Sequence, residues 1–195
     1  MKNNVPAKIT KSLIKAGAVP PEDSALYEYG IRMGFLLVIN IATAVLIGLF
    51  LGMVWQCIIF LIAYNPVRTY AGGYHAGTPL ACYLLSIPMV VAVLLGIKLI
   101  PWNGYICAIA LFIALMIIVL LAPVEDRNKP LNEREKTVYG RRAGVYSAVL
   151  SGMAVTLWFA GMEQISLSIV MALGVAAVML VLGAVKNSNY EEKKA

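Results

Sequence analysis

LACYLLSIPMVVAVLLGIKLI, residues 80 to 100, decides the class of this chain. The run holds one charge, Lys98, close to its end, and no acid. At a helical rise of 1.5 Å per residue it reaches about 31 Å, the thickness of a bilayer's hydrocarbon core. GYICAIALFIALMIIVLLA, residues 104 to 122, repeats the pattern, again without an acid. Working outward, the hydropathy predicts transmembrane segments near 29–48, 50–65, 80–100, 104–122, 143–162 and 165–185. The apolar stretch from Met33 to Ala63 is long for one span and short for two. Gly48 and Gly52 supply a turn within it, and two spans there make the loop charges alternate in side.

Composition agrees. Of 195 residues, 61% are hydrophobic and 13% charged, with a mean hydropathy of +0.80, outside the range of soluble domains. The fold expected is all-α and integral to the lipid bilayer: about six transmembrane helices preceded by an N-terminal amphipathic interfacial helix. One polytopic membrane domain covers 1–195, with 1–20 as the interfacial helix, 29–185 as the transmembrane helices and 186–195 as a cytoplasmic tail. In the first of these, Val5, Ile9, Leu13 and Ile14 recur at helical spacing, while Lys8, Lys11 and Lys15 offer a positive face to anionic lipid. The segment lacks the uninterrupted apolar core and small-residue cleavage site of a signal peptide. Gly17, Pro20 and Pro21 should end it.

The formal charge of +6 is topological and calls for no nucleic acid. Lys2, Lys8, Lys11, Lys15 and Arg32 precede or open the first span, and six basic residues fill the loop 123–142. The positive-inside rule puts both groups in the cytoplasm, together with both termini. Arg68 and the loop 66–79 then face the cytoplasm too. Cys57, Cys82 and Cys107 lie 25 residues apart, with no CxxC pair and no second histidine. Neither a metal set nor a cofactor site is expected.

The only histidine sits in RTYAGGYHAGTPLAC, residues 68 to 82, seven positions before Cys82. On one straight helix the two side chains would stand about 10 Å apart along the axis, too far for direct proton transfer. Thr78 and Pro79 instead read as a helix start, Thr78 as N-cap and Pro79 in the first helical position. Cys82 then falls in the opening turn, where free N–H groups and the helix dipole favour a thiolate. The glycines around His75 let it fold back and accept the thiol proton, later returning it to a leaving amide. The same residues also read as an interfacial histidine and a small apolar filler.

RTYAGGYHAGTPLAC resembles the AgrB family, the accessory gene regulator membrane peptidases of Gram-positive bacteria that process quorum-sensing propeptides. APVEDRNKPL, residues 122 to 131, looks like that family's loop after the fourth span. Size and apolar segments agree over nearly the whole chain. The resemblance implies a thiol protease of the cell membrane with Cys82 as nucleophile and His75 as base, and with Arg68 and Gly73 also in the motif. It implies a short AgrD-like precursor as partner, cut at the cytoplasmic face between its future signal and an acidic C-terminal segment. The new C-terminus would be held as a thioester and attacked by a cysteine of the precursor, giving a thiolactone, or by a serine, giving a lactone.

Two readings compete for the basic loop: a solvated topogenic segment, or a site where Arg127 and Lys129 bind the precursor's acidic tail. Arg68 would serve likewise or steady an oxyanion. Asn40 and Gln56 read as interhelical packing groups, Cys57 and Cys107 as apolar filler. Ser86 lies one turn past Cys82, and Tyr74, Asn65 or a backbone carbonyl would orient His75. Gly152, Gly161, Gly174 and Gly183 suit close helix packing, within one chain or in a homodimer. The rival function is a small multi-pass peptide exporter without covalent chemistry. Against it stands the scarcity of charge within the spans.

Overall fold

The computed structural model describes residues 5–74, 76–125 and 131–192. Among them seven α-helices follow one another without a strand: α1 (Val5–Lys15), α2 (Ser24–Phe50), α3 (Val54–Ala71), α4 (Pro79–Leu99), α5 (Gly104–Leu121), α6 (Glu133–Phe159) and α7 (Glu163–Glu192). Four stretches, Pro21–Phe50, Pro79–Leu99, Gly104–Leu121 and Glu163–Ser188, are long and apolar enough to cross a membrane, where the sequence led us to expect six. The two that fall short do so visibly. Helix α3 carries Gln56, Asn65 and Arg68, and α6 begins with charged residues that leave it a short apolar remainder.

Three interhelical breaks share one mechanism. Gly17, Gly52 and Gly161 have φ of 71°, 69° and 78°. Each stands just past a helix end, where a residue without a Cβ enters the left-handed region at little cost. The next residue's N–H then reaches back five positions: Ala18 to the Leu13 carbonyl, Met53 to Gly48 and Met162 to Leu157, at 3.0, 2.7 and 2.9 Å. Helices α2 and α3 therefore part at 51–53. Gly48 lets α3 approach, since a Cβ there would lie 3.0 Å from that of Cys57.

Other starts are capped by side chains. Asn103 and Asn132 accept the N–H of Ile106 and Glu135 at 2.9 and 2.8 Å, and Glu135 returns a bond to the Asn132 N–H at 3.0 Å. This reciprocal box starts α6 at Glu133, inside the stretch expected to be loop. Helix α7 likewise continues to Glu192, past the expected start of the tail.

Helix α7 is the axis of the bundle, packed against α3, α4, α5 and α6. Some 56% of its apolar stretch is buried, against 11% for α2 and 22% for α4 and for α5. The outer helices leave Leu37, Val38, Phe112, Val119 and Leu120 exposed, a surface suited to hydrocarbon. Helix α1 packs on α2 with Ile9, Leu13 and Ile14 half-buried and Lys8, Lys11 and Lys15 exposed. Of the four glycines read as packing residues, Gly183 alone meets a neighbour: nothing lies within 4 Å of a Cβ at Gly152, Gly161 or Gly174.

Candidate active site

The site is built on the chain between α3 and α4. Helix α3 ends at Ala71, and Gly72 and Gly73, with φ of 73° and 108°, turn the backbone into the bundle. Backbone bonds then fix the segment from two sides. The Gly73 N–H donates to the Val124 carbonyl at 3.1 Å and the Val124 N–H to that of Ala71 at 2.9 Å, a single parallel bridge. The Tyr74 N–H donates to the Met179 carbonyl of α7 at 2.7 Å.

So close an approach needs bare backbone. A Cβ on Gly72 would meet the Val124 carbonyl oxygen at 2.1 Å, one on Gly73 the Met179 oxygen at 2.6 Å, and one on Gly183 the Tyr74 nitrogen at 2.6 Å. Arg68, one turn before the end of α3, closes the arrangement from within, its two terminal nitrogens donating to the Gly72 and Tyr74 carbonyls. The planar fork of a guanidinium suits two acceptors on one turn of chain. Tyr64, a turn earlier, lines the same chamber as Arg68. Lys186 of α7 places its ammonium 5.0 Å from the centre of the Tyr74 ring.

Helix α4 starts as the sequence predicts. The Thr78 hydroxyl accepts the Ala81 N–H at 3.2 Å, and Pro79 is the first helical residue. Cys82 lies in the opening turn, half-buried, its Sγ 3.8 Å from the Ala76 carbonyl oxygen. It opens into a chamber of about 190 Å³ shared with Asn40 and Leu37 of α2, Tyr64, Asn65 and Arg68 of α3, Ser86 of α4 and Met179 of α7. The structure thus brings Cys82 and Arg68 to one chamber, with Gly73 set against Arg68. His75, Arg127 and Lys129 lie outside the described residues.

A second cavity, of about 320 Å³, adjoins the first. Asn65 and Arg68 line both, and Tyr70, Val124, Glu125 and Tyr139 are among the other residues lining the second. Tyr70 stacks on Tyr146 at 5.4 Å between ring centres, with the Arg142 guanidinium 5.3 Å from its face. Glu125 pins this side of the loop: its carboxylate pairs with Lys136 at 2.8 Å and accepts the Leu131 N–H at 3.2 Å, and its carbonyl accepts from Asn187 at 2.9 Å. The Lys136 hydrogen bond first, and then that of Leu131, hold the Glu125 carboxyl below the usual carboxylate range.

Sequence reasoning missed Tyr64 and the carbonyls of Val124 and Met179, because main-chain acceptors leave no mark on residue type. It put Ser86 one turn past Cys82, within reach of the site, and read Asn40 as packing. Both line the chamber. Cys57 and Cys107 are buried as expected, Cys57 donating to the Ala44 carbonyl at 3.2 Å. Gln56 faces Gln164 at 3.4 Å.

Known proteins agree over most of the chain. A family model described as Accessory gene regulator B matches residues 7–182. The chain is 28% identical over 139 residues to an AgrB-like protein of Listeria welshimeri, covering 71% of this chain and 68% of the relative. A Listeria monocytogenes relative of the same description is 27% identical over the same length. One from Clostridium perfringens is 27% identical over 122 residues, 59% of this chain and 57% of the relative. No solved structure matches.

Proposed function

The chain belongs to the accessory gene regulator B family, and from that premise we propose that it is a membrane cysteine endopeptidase that cuts a short AgrD-like precursor and promotes its cyclisation in quorum sensing. The observation that carries this reading is the setting of Cys82. Its sulfur sits in the first turn of a helix beside a chamber whose wall is a main-chain segment clamped by Arg68 and seated through Gly73 on α7. A nucleophile needs such a fixed wall, because acyl transfer depends on holding the carbonyl in line with the attacking atom.

In this mechanism His75 takes the Cys82 proton, and the thiolate forms a bond to the scissile carbonyl carbon. The carbon–nitrogen bond breaks, its electron pair leaving with the amine nitrogen, which takes the proton back from His75. The precursor's amino-terminal part remains as a thioester on Cys82. A thiolate of the precursor then attacks the same carbon and displaces Cys82, giving a thiolactone, and a serine there gives a lactone. Sulfur-to-sulfur transfer conserves bond type, so the step proceeds near balance provided the chamber excludes water.

Arg68 acts in this scheme by shaping the wall, since its terminal nitrogens serve two carbonyls. Arg127 and Lys129 bind the precursor's acidic tail, a role supported by their charge and by a cavity lined by Glu125 and Leu131, between which they fall in the sequence. All six helices from α2 to α7 cross the plasma membrane of a Gram-positive bacterium, with α1 on the cytoplasmic surface and both termini inside. Asn65 and Arg68 of α3 and the charged start of α6 then line or border the cytoplasmic site.

Co-expression with a short AgrD-like precursor tests the reading, the precursor being followed by mass spectrometry. Wild type is expected to cleave it, and Cys82→Ala and His75→Ala at matched membrane levels to leave it intact. Equal cleavage by wild type and Cys82→Ala overturns the proposal and favours an exporter.

A further inference from the structure

Acyl transfer at Cys82 develops negative charge on the carbonyl oxygen, which needs hydrogen-bond donors about 2.7–3.1 Å away. In the opening turn of α4 the Cys82 N–H donates to the Thr78 carbonyl at 3.1 Å, the Ala81 N–H to the Thr78 hydroxyl, and Pro79 has no N–H, which leaves the Leu80 N–H as that turn's main-chain donor. Arg68 commits two of its five N–H groups to the Gly72 and Tyr74 carbonyls.

Asn40 answers the need. It is a carboxamide within the apolar run LLVINIA of α2, where a polar side chain is costly unless partnered. It lines the Cys82 chamber, and its hydrogen-bond partner among the described residues is the Ser86 hydroxyl, 3.1 Å from its Oδ1. That hydroxyl also lies 2.7 Å from the Tyr83 carbonyl. Ser86 has one proton to donate. If it goes to Tyr83, the Asn40 amide turns to donate one N–H to Ser86 and keeps the other, the two ends of a carboxamide being interchangeable by rotation. If it goes to Asn40, both amide N–H groups stay free. Either arrangement leaves an N–H for the chamber. Ser86 follows Cys82 by four residues on α4, so the two side chains share a face about 6 Å apart, and the Asn40 amide lines the same chamber as the thiol.

We propose that Asn40 is a catalytic residue, the side-chain donor to the oxyanion formed when Cys82 attacks the precursor, and that Ser86 is the positioning residue that orients it. The assignment rests on the peptidase reading above. As the sulfur–carbon bond forms, the carbonyl π pair moves onto oxygen and is held by the Asn40 N–H. It returns as the carbon–nitrogen bond breaks and the amine nitrogen takes the proton from His75.

The test uses the protein in lipid vesicles with a short AgrD-like precursor peptide. Two rates are read: single-turnover cleavage, and alkylation of Cys82 by iodoacetamide, an uncharged reagent that reports whether the chamber and thiol are intact. Asn40→Ala is expected to slow cleavage by about 100- to 1,000-fold, with KM and the alkylation rate within threefold of wild type. Ser86→Ala is expected to cost less, and to add nothing in the double variant. Cleavage by Asn40→Ala within threefold of wild type, while Cys82→Ala is inactive, overturns the assignment and leaves the peptidase reading standing. Parallel loss of cleavage and alkylation overturns it as well, because Asn40 would then only hold the chamber together. Cleavage that survives in Cys82→Ala overturns both.

Discussion

Replacing Gly183 by alanine sets two effects of opposite sign against each other. In the interior of α7, alanine favours helix over glycine by about 1 kcal/mol. Its Cβ, however, would lie 2.6 Å from both the Gly73 carbonyl carbon and the Tyr74 nitrogen. Carbon atoms pack at about 3.5–4.0 Å, so the segment must retreat by roughly 1 Å. The Tyr74–Met179 hydrogen bond, 2.7 Å long, cannot survive that retreat. Stranding a buried N–H costs about 1–3 kcal/mol, which lowers the fraction of molecules with the segment seated by about 5- to 150-fold. Gly183→Ala is therefore expected to leave the bundle's thermal midpoint unchanged or higher while precursor cleavage falls by that factor. Gly77→Ala, in the same connection with nothing within 4 Å of its Cβ, is the control and should cleave as wild type. Full activity in Gly183→Ala, or a fall in stability parallel to the fall in activity, would refute the claim that the seated segment forms the site.

Arg68→Lys keeps the charge but offers a point ammonium where a fork meets two carbonyls; cleavage is expected to drop at least tenfold, and retained activity would show the fork to be dispensable. Thr78→Ala removes the cap of α4 and should destabilise that helix start by about 1 kcal/mol, seen as faster hydrogen exchange at Ala81 and Cys82. The Glu125 carboxyl is held low by Lys136 and Leu131, so its contribution is full above the ordinary carboxylate value and lost as pH falls through the lowered one. Exchange of the Leu131 N–H should stay slow from neutral pH down through the usual carboxylate range and speed up only below it, relative to the chemical exchange rate, and Glu125→Gln should abolish that step.

Local signals in the sequence were read well, and contacts between distant segments were not. Thr78–Pro79 announced α4, and Gly17 and Gly52 announced turns, because a cap or a left-handed residue acts on its own neighbours. The start of α6 was hidden: hydropathy registers where lipid begins, and the first residues of α6 are charged although Asn132 and Glu135 form a legible capping box. Gly161 looked like a packing glycine and is a helix terminator. Gly73 and Gly183, 110 positions apart in the chain, are pressed together by the way α7 lies against α3, and no pattern near either residue specifies that meeting. At the site, residue types pointed to Cys82 and Arg68, while the Val124 and Met179 carbonyls emerged only with the fold.

The most direct test of the peptidase account is intact-protein mass spectrometry of a reaction with the precursor quenched in acid. The account predicts a covalent adduct with the mass of the precursor's amino-terminal acyl part, mapped to Cys82, released by neutral hydroxylamine as a thioester should be, and missing from Cys82→Ala. Cleaved precursor with no adduct on wild type, or an adduct that persists in Cys82→Ala, would contradict it.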